Sequence, residues 1–173
     1  MPISSASRLW IILALGATMA NAAVGTWLQL GPWRPDLLLA ALIYLGLTSG
    51  PAPAVAVGFL AGIYQDLYAP QILGIHALAH TITGYVAGVV GEKVQAEHIT
   101  IQAVALFALT VLDETIVGAT LGLSGLPGFL LVHAVVSALY TTILGVLLVS
   151  LLGDWLQPRE WGRHHESRRR RVR

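Results

Sequence analysis

Apolar residues gather along this chain in six long stretches, separated by short clusters of Gly, Pro and charged residues. A helix that crosses a bilayer needs about 20 consecutive apolar residues. The first stretch runs from Leu9 to about Leu30. It has the outline of a signal peptide, with Arg8 ahead of it and Ala20-Asn21-Ala22 resembling a cleavage site. Apolar character nevertheless continues through Val24, Trp27 and Leu28, which predicts a span. Gly31-Pro32-Trp33-Arg34-Pro35 breaks the chain, and a second, short helix is expected from Asp36 to about Thr48. Gly50-Pro51-Ala52-Pro53 is the next break, because proline cannot continue a helix interior. A third helix then runs to about Tyr68, and Ala69-Pro70-Gln71 turns the chain. A fourth covers about Gly74 to Val90, and the polar loop Glu92 to His98 follows. The fifth covers about Ile99 to Leu123, Gly125-Leu126-Pro127-Gly128 turns, and the sixth ends near Leu152.

Composition makes the bilayer the natural solvent. Of 173 residues, 55% are hydrophobic and 11% charged, with a mean hydropathy of +0.72. An average globular chain is about 25% charged. Six spans use about 120 residues, which leaves short loops and one tail. The expected architecture is an all-α membrane protein, with a six-helix domain over residues 1–153 and a basic tail over 154–173. The absence of cysteine excludes disulfides, thiolate metal sites, iron–sulfur clusters and a cysteine nucleophile.

Charge is uneven along the chain. Residues 1–153 hold three basic side chains (Arg8, Arg34, Lys93) and six acidic ones, while 154–173 hold seven basic and three acidic. With six spans both termini share one side. Placing them in the cytoplasm puts nine Lys and Arg inside and only Arg34 outside, as the positive-inside rule requires. Trp10, Trp155 and Trp161 then fall at inner helix ends, and Trp27 and Trp33 at outer ends.

Small residues recur four apart at Gly46/Gly50, Gly58/Gly62, Gly84/Gly88 and Gly118/Gly122. Such pairs form grooves that let helix backbones approach closely in lipid. They serve either packing within the bundle or a partner's helix, with Gly58, Gly62, Gly118 and Gly122 the candidates for the partner face.

Ionisable groups within apolar segments are functional candidates by default. Here they are Asp66, His76, His80, Asp113, Glu114 and His133, and folding the hairpins about their turns collects all six toward the outer half. Asp66 stands at the C-terminal end of its helix, where the macrodipole disfavours an anion. The free N–H groups of Gly74, Ile75 and His76 begin the next helix across a short turn, so Asp66 is expected to fasten the two helices together. Asp36 follows Pro35 in a first helical turn, where both residue types are favoured. His76 and His80 share a helix face at metal-ligand spacing, but Ala77-Leu78-Ala79 between them lacks the glutamate of a zinc protease. Neutral, hydrogen-bonded histidines are therefore expected, and no metal. Asp113 and Glu114 are about 100° apart on a helix, so both cannot enter one small pocket. No nucleophile elbow, P-loop or dinucleotide fingerprint accompanies them, and no enzyme activity or cofactor is expected. The run Arg168-Arg169-Arg170-Arg171-Val172-Arg173 either holds anionic lipid headgroups or an acidic partner, or simply sets topology. It has no fold or aromatic platform for nucleic acid.

The middle of the chain carries a family resemblance. It reads Arg34-Pro35-Asp36-Leu37-Leu38-Leu39, Tyr44, then Gly58-Phe59-Leu60-Ala61-Gly62-Ile63-Tyr64-Gln65-Asp66, then Leu73-Gly74-Ile75-His76-Ala77-Leu78 and Gly84-Tyr85. This resembles the MreD family of rod shape-determining membrane proteins. The family pattern has Pro-Asp opening one helix, Gly-Phe-x-x-Gly-x-x-x-Asp ending another and Leu-Gly-x-x-Ala-Leu starting the next. The resemblance implies a non-enzymatic scaffold of the elongasome that pairs with MreC, a single-span protein. It implies work beside RodA, its penicillin-binding transpeptidase and MreB in lateral peptidoglycan synthesis. The family is also similar in architecture to the six-helix substrate-binding components of energy-coupling-factor vitamin transporters, so a transporter subunit is the alternative. That alternative expects an Ala-x-x-x-Ala pair in the first span, and the alanines at 14, 17, 20, 22 and 23 contain none.

Overall fold

A computed structural model describes residues 16, 27–29, 33–68, 72–94, 98–122 and 127–156. The body of the first apolar stretch, the turns at 69–71 and 123–126, and the tail from residue 157 lie outside the described residues. So do Arg168, Arg169, Arg170, Arg171 and Arg173. Among the described residues the regular structure is helical, in five helices: α1 (Leu37–Ser49), α2 (Pro51–Tyr68), α3 (Ile75–Lys93), α4 (Ile99–Thr120) and α5 (Pro127–Leu156).

Several boundaries differ from expectation, each for a local reason. Asp36 is the N-cap of α1 rather than a first-turn residue, because its side chain accepts from Leu39 N at 2.9 Å. That bond satisfies one of the donors a helix start leaves open. Pro51 and Pro53 do not delay α2. They form its first turn, where a missing N–H removes no intrahelical bond. α4 stops at Thr120, since Gly122 takes φ 73° and its N–H turns back to Ala119 O. α5 continues through Leu156, past the expected end near Leu152 and beyond the boundary placed at residue 154.

α1 is the centre of the bundle. Leu38, Leu39, Ala40, Leu42, Ile43, Tyr44, Leu45, Gly46 and Leu47 are buried, and α1 packs against each of the other four helices. Those four follow one another as neighbours around it, α2 on α3, α3 on α4, α4 on α5. Outward faces are apolar as well. Phe59, Leu60, Leu78, Tyr85, Val104, Leu131, Leu139, Ile143, Leu147 and Leu151 are exposed, as suits helices whose outer faces meet lipid. Two helices, Ile99–Thr120 and Leu131–Leu151 within α5, are long and apolar enough to cross a membrane.

The tightest contact is between α2 and α3, and glycines make it possible. A Cβ at Gly62 would fall on the Ala77 backbone, at Gly88 on Pro51, at Gly58 on His80 O and at Gly84 on Ala54 O. Each four-spaced pair is thus covered by the backbone of the other helix, which makes Gly58 and Gly62 an internal surface and removes them as a partner face. The other two pairs are not faces at all. Gly50 (φ 85°) and Gly122 (φ 73°) end their helices in the left-handed region, which glycine alone enters without strain. Gly62→Ala should destabilise the protein by about 1–3 kcal/mol, the usual result of forcing atoms into a packed contact. Gly128→Ala, where an added Cβ meets nothing within 4 Å, should stay within about 0.5 kcal/mol. Thermal melts in detergent would compare them, and equal melting temperatures would contradict this packing.

Candidate functional site

Two polar clusters lie where α1 and α3 begin, at the level of the middle of α5. The first centres on Asp66, which is buried two residues before the end of α2. Its Oδ2 accepts from Gly74 N at 2.9 Å and Ala77 N at 3.1 Å, and its Oδ1 from His76 N at 3.0 Å. His76 Nδ1 also meets Oδ1, at 2.8 Å. Gly74 can present its N–H because it adopts φ 103° as the N-cap of α3 and has no side-chain cap of its own. A carboxylate from the preceding helix thus does what an N-cap side chain would do, and takes three of the N–H groups that a helix start leaves open. Ala77 stands among the donors in the place expected for Ile75.

The second cluster crosses the bundle. His80 is fully buried on α3. Its Nδ1 meets Asp113 Oδ1 of α4 at 3.0 Å, and its Nε2 meets Gln65 Oε1 of α2 at 2.7 Å. Gln65 Nε2 donates to Asp36 Oδ2 at 3.2 Å, and Thr83 Oγ1 donates to Asp113 Oδ1 at 2.9 Å. Asp36 N in turn donates to Thr141 Oγ1 of α5 at 3.0 Å. The chain of contacts Thr141–Asp36–Gln65–His80–Asp113–Thr83 therefore touches all five helices. Buried polar groups without partners are costly, and these satisfy one another while fixing the relative positions of the helices that carry them.

The six intramembrane candidates divide unequally between these clusters. Asp66 with His76, and His80 with Asp113, form two pairs whose imidazoles lie edge to face with centroids 6.1 Å apart. Glu114 points elsewhere and accepts from Ser137 Oγ of α5 at 3.0 Å. His133 sits one turn before Ser137 on α5, so it belongs to that side of the bundle and not to the Asp113 pair. Of the family-pattern residues, Pro35, Gly58, Gly62, Asp66 and Gly84 are buried, while Phe59, Leu73 and Tyr85 are exposed. The sequence reading missed Gln65, Thr83, Ser137 and Thr141. Thr83 carried a usable signal, three residues after His80 and hence on its face.

The chemistry this arrangement offers is fastening. A histidine next to a carboxylate could serve as a general base, but its second ring nitrogen would then have to face a nucleophile. Here Gln65 Oε1 occupies that position. Each imidazole Nδ1 is also engaged with a different carboxylate, and among the described residues no group of three His, Asp or Glu side chains is placed to hold a metal ion. A protein-family model, described as rod shape-determining protein MreD, matches residues 5–157 of the chain. No curated protein and no solved structure matches it.

Proposed function

The chain belongs to the MreD family of rod shape-determining proteins, and from that premise we propose that it is a non-enzymatic membrane scaffold. In this reading it pairs with the single-span protein MreC and stands beside RodA, its penicillin-binding transpeptidase and MreB to support lateral peptidoglycan synthesis. Six spans with both termini in the cytoplasm of a bacterial inner membrane complete the proposal, and the arginine tail lies against anionic lipid. One observation supports it beyond membership. The buried carboxylates Asp66 and Asp113 and the half-buried Asp36 all bind donors within the bundle, which suits a part whose task is to hold its own shape while others bind it.

Affinity purification of the full chain from membranes should bring down an MreC protein in near-equal amount. Reporter fusions after residue 31 and at Arg173 should report opposite sides of the membrane. A bound small molecule with no protein partner would reject the scaffold in favour of a transporter-like subunit. Fusions reporting the same side would reject the six-span arrangement.

A further inference from the structure

The start of α1 lies deep inside the apolar belt. Thr141, which accepts from Asp36 N, stands midway along the apolar window Leu131–Leu151, about 15 Å of helix from either end. Tyr140, one residue earlier, donates its hydroxyl to Leu28 O at 2.7 Å. Leu28 and Asp36 are thus both held at the middle of the window. The length of α1 agrees with this placement. Its 13 residues rise about 20 Å, short of the roughly 30 Å hydrocarbon core of a bilayer.

The residues at this depth suit an interface rather than hydrocarbon. Trp27 is 89% exposed, Gln29 and Arg34 are exposed, and Trp33 is half-buried. Tryptophan concentrates where lipid headgroups meet water, and a guanidinium surrounded by lipid tails is strongly disfavoured. The carboxylates of the bundle are bound to other groups. Asp36 is engaged with Leu39 and Gln65, Asp66 with the start of α3, Asp113 with His80 and Thr83, and Glu114 with Ser137. No ion pair joins Arg34 to any described residue.

We propose that the leaflet is thinned beside the start of α1 and that Arg34 there binds the phosphate of an anionic lipid headgroup. The planar fork of arginine matches phosphate oxygens in two-point contact, and Trp27 and Trp33 give the acyl–headgroup boundary a surface to rest on. The site is separate from the arginine tail, which lies at the other end of the chain. It rests on the reading of the chain as a membrane protein.

The chain has no cysteine, so Trp27→Cys in the full chain creates a single labelling position. In nanodiscs, a spin label there should be relaxed by a water-soluble nickel chelate as strongly as by oxygen. A label at Leu139, beside Tyr140 and 49% exposed, should be relaxed mainly by oxygen. Equal, oxygen-dominated behaviour at both positions overturns the thinning. Arg34→Gln should bind phosphatidylglycerol about fivefold more weakly, the effect of one basic side chain near a membrane surface, with its melting temperature unchanged. Arg34→Lys should recover most of that binding. The tail contributes equally to all three chains, so the difference isolates Arg34. Undiminished binding by Arg34→Gln overturns the proposal. Inorganic phosphate competing on equal terms with the lipid would overturn the lipid as the ligand and leave a free-phosphate site. A chain that fails to enter nanodiscs at all refutes the membrane reading instead.

Discussion

Asp66→Ala is expected to lower stability by about 4 kcal/mol or more, because it leaves three N–H groups open where each unmet donor costs about 1–3 kcal/mol. Those donors, Gly74, His76 and Ala77, form the first turn of α3, and no other side chain caps it. The α2–α3 contact should loosen with them, since Gly62 packs directly on the Ala77 backbone. Asp66→Asn retains an acceptor oxygen and should fall between the wild type and the alanine variant. Melting in detergent, with the amount of co-purified partner measured on the same samples, tests the fastening role. Stability and partner binding should decline together and in that order of variants. A melting temperature unchanged in Asp66→Ala would show that the carboxylate does not hold the hairpin, whatever else it does.

Removing His80 should be comparably severe. His80→Ala leaves Asp113 buried with only Thr83 Oγ1 to face it, and Gln65 with an open acceptor. Breaking a buried pair by taking away one partner costs about 3–5 kcal/mol. Asp113→Ala should cost nearly as much, but the double variant little more than either single one, because the second substitution removes a group already stranded. A double-mutant cycle read from denaturation midpoints measures this coupling, expected at about 3 kcal/mol, the upper end of the range for residues in contact. Additive losses would mean that the two side chains stabilise the bundle independently and that the 3.0 Å contact contributes little.

The Asp66 cluster was legible in the sequence because its physics is local. A carboxylate at a helix C-terminus in an apolar segment needs donors, and a turn of a few residues brings the next helix start within reach. The second cluster was not legible, for two reasons. Gln65 is uncharged, so an inventory of charges passed over the residue that joins His80 to Asp36. Matching depths along two hairpins also says nothing about which way a side chain faces around its helix. The roughly 100° between Asp113 and Glu114 does separate them, Asp113 turning inward and Glu114 toward Ser137, but depth alone does not tell which of the two His80 meets. Spacing alone misled at Gly118/Gly122 in a similar way. Four residues apart means one face only while the helix continues, and α4 ends at Thr120. At Pro51 the pattern of prolines reads as a break, but proline breaks only a helix interior, and Pro51 and Pro53 stand in the first turn of α2.

The burial of α1 also bears on how the protein is made. α1 leaves the ribosome before the four described helices that pack around it, yet it is too short to rest across a bilayer alone, and its N-cap Asp36 waits for Gln65. Its place in the finished molecule exists only after α4 and α5, up to Leu156, have been translated. The order in which segments are inserted therefore cannot be the order in which they assemble. The nascent chain must hold α1 in a provisional position, at the translocon or in the headgroup layer, until its last neighbours emerge and close around it.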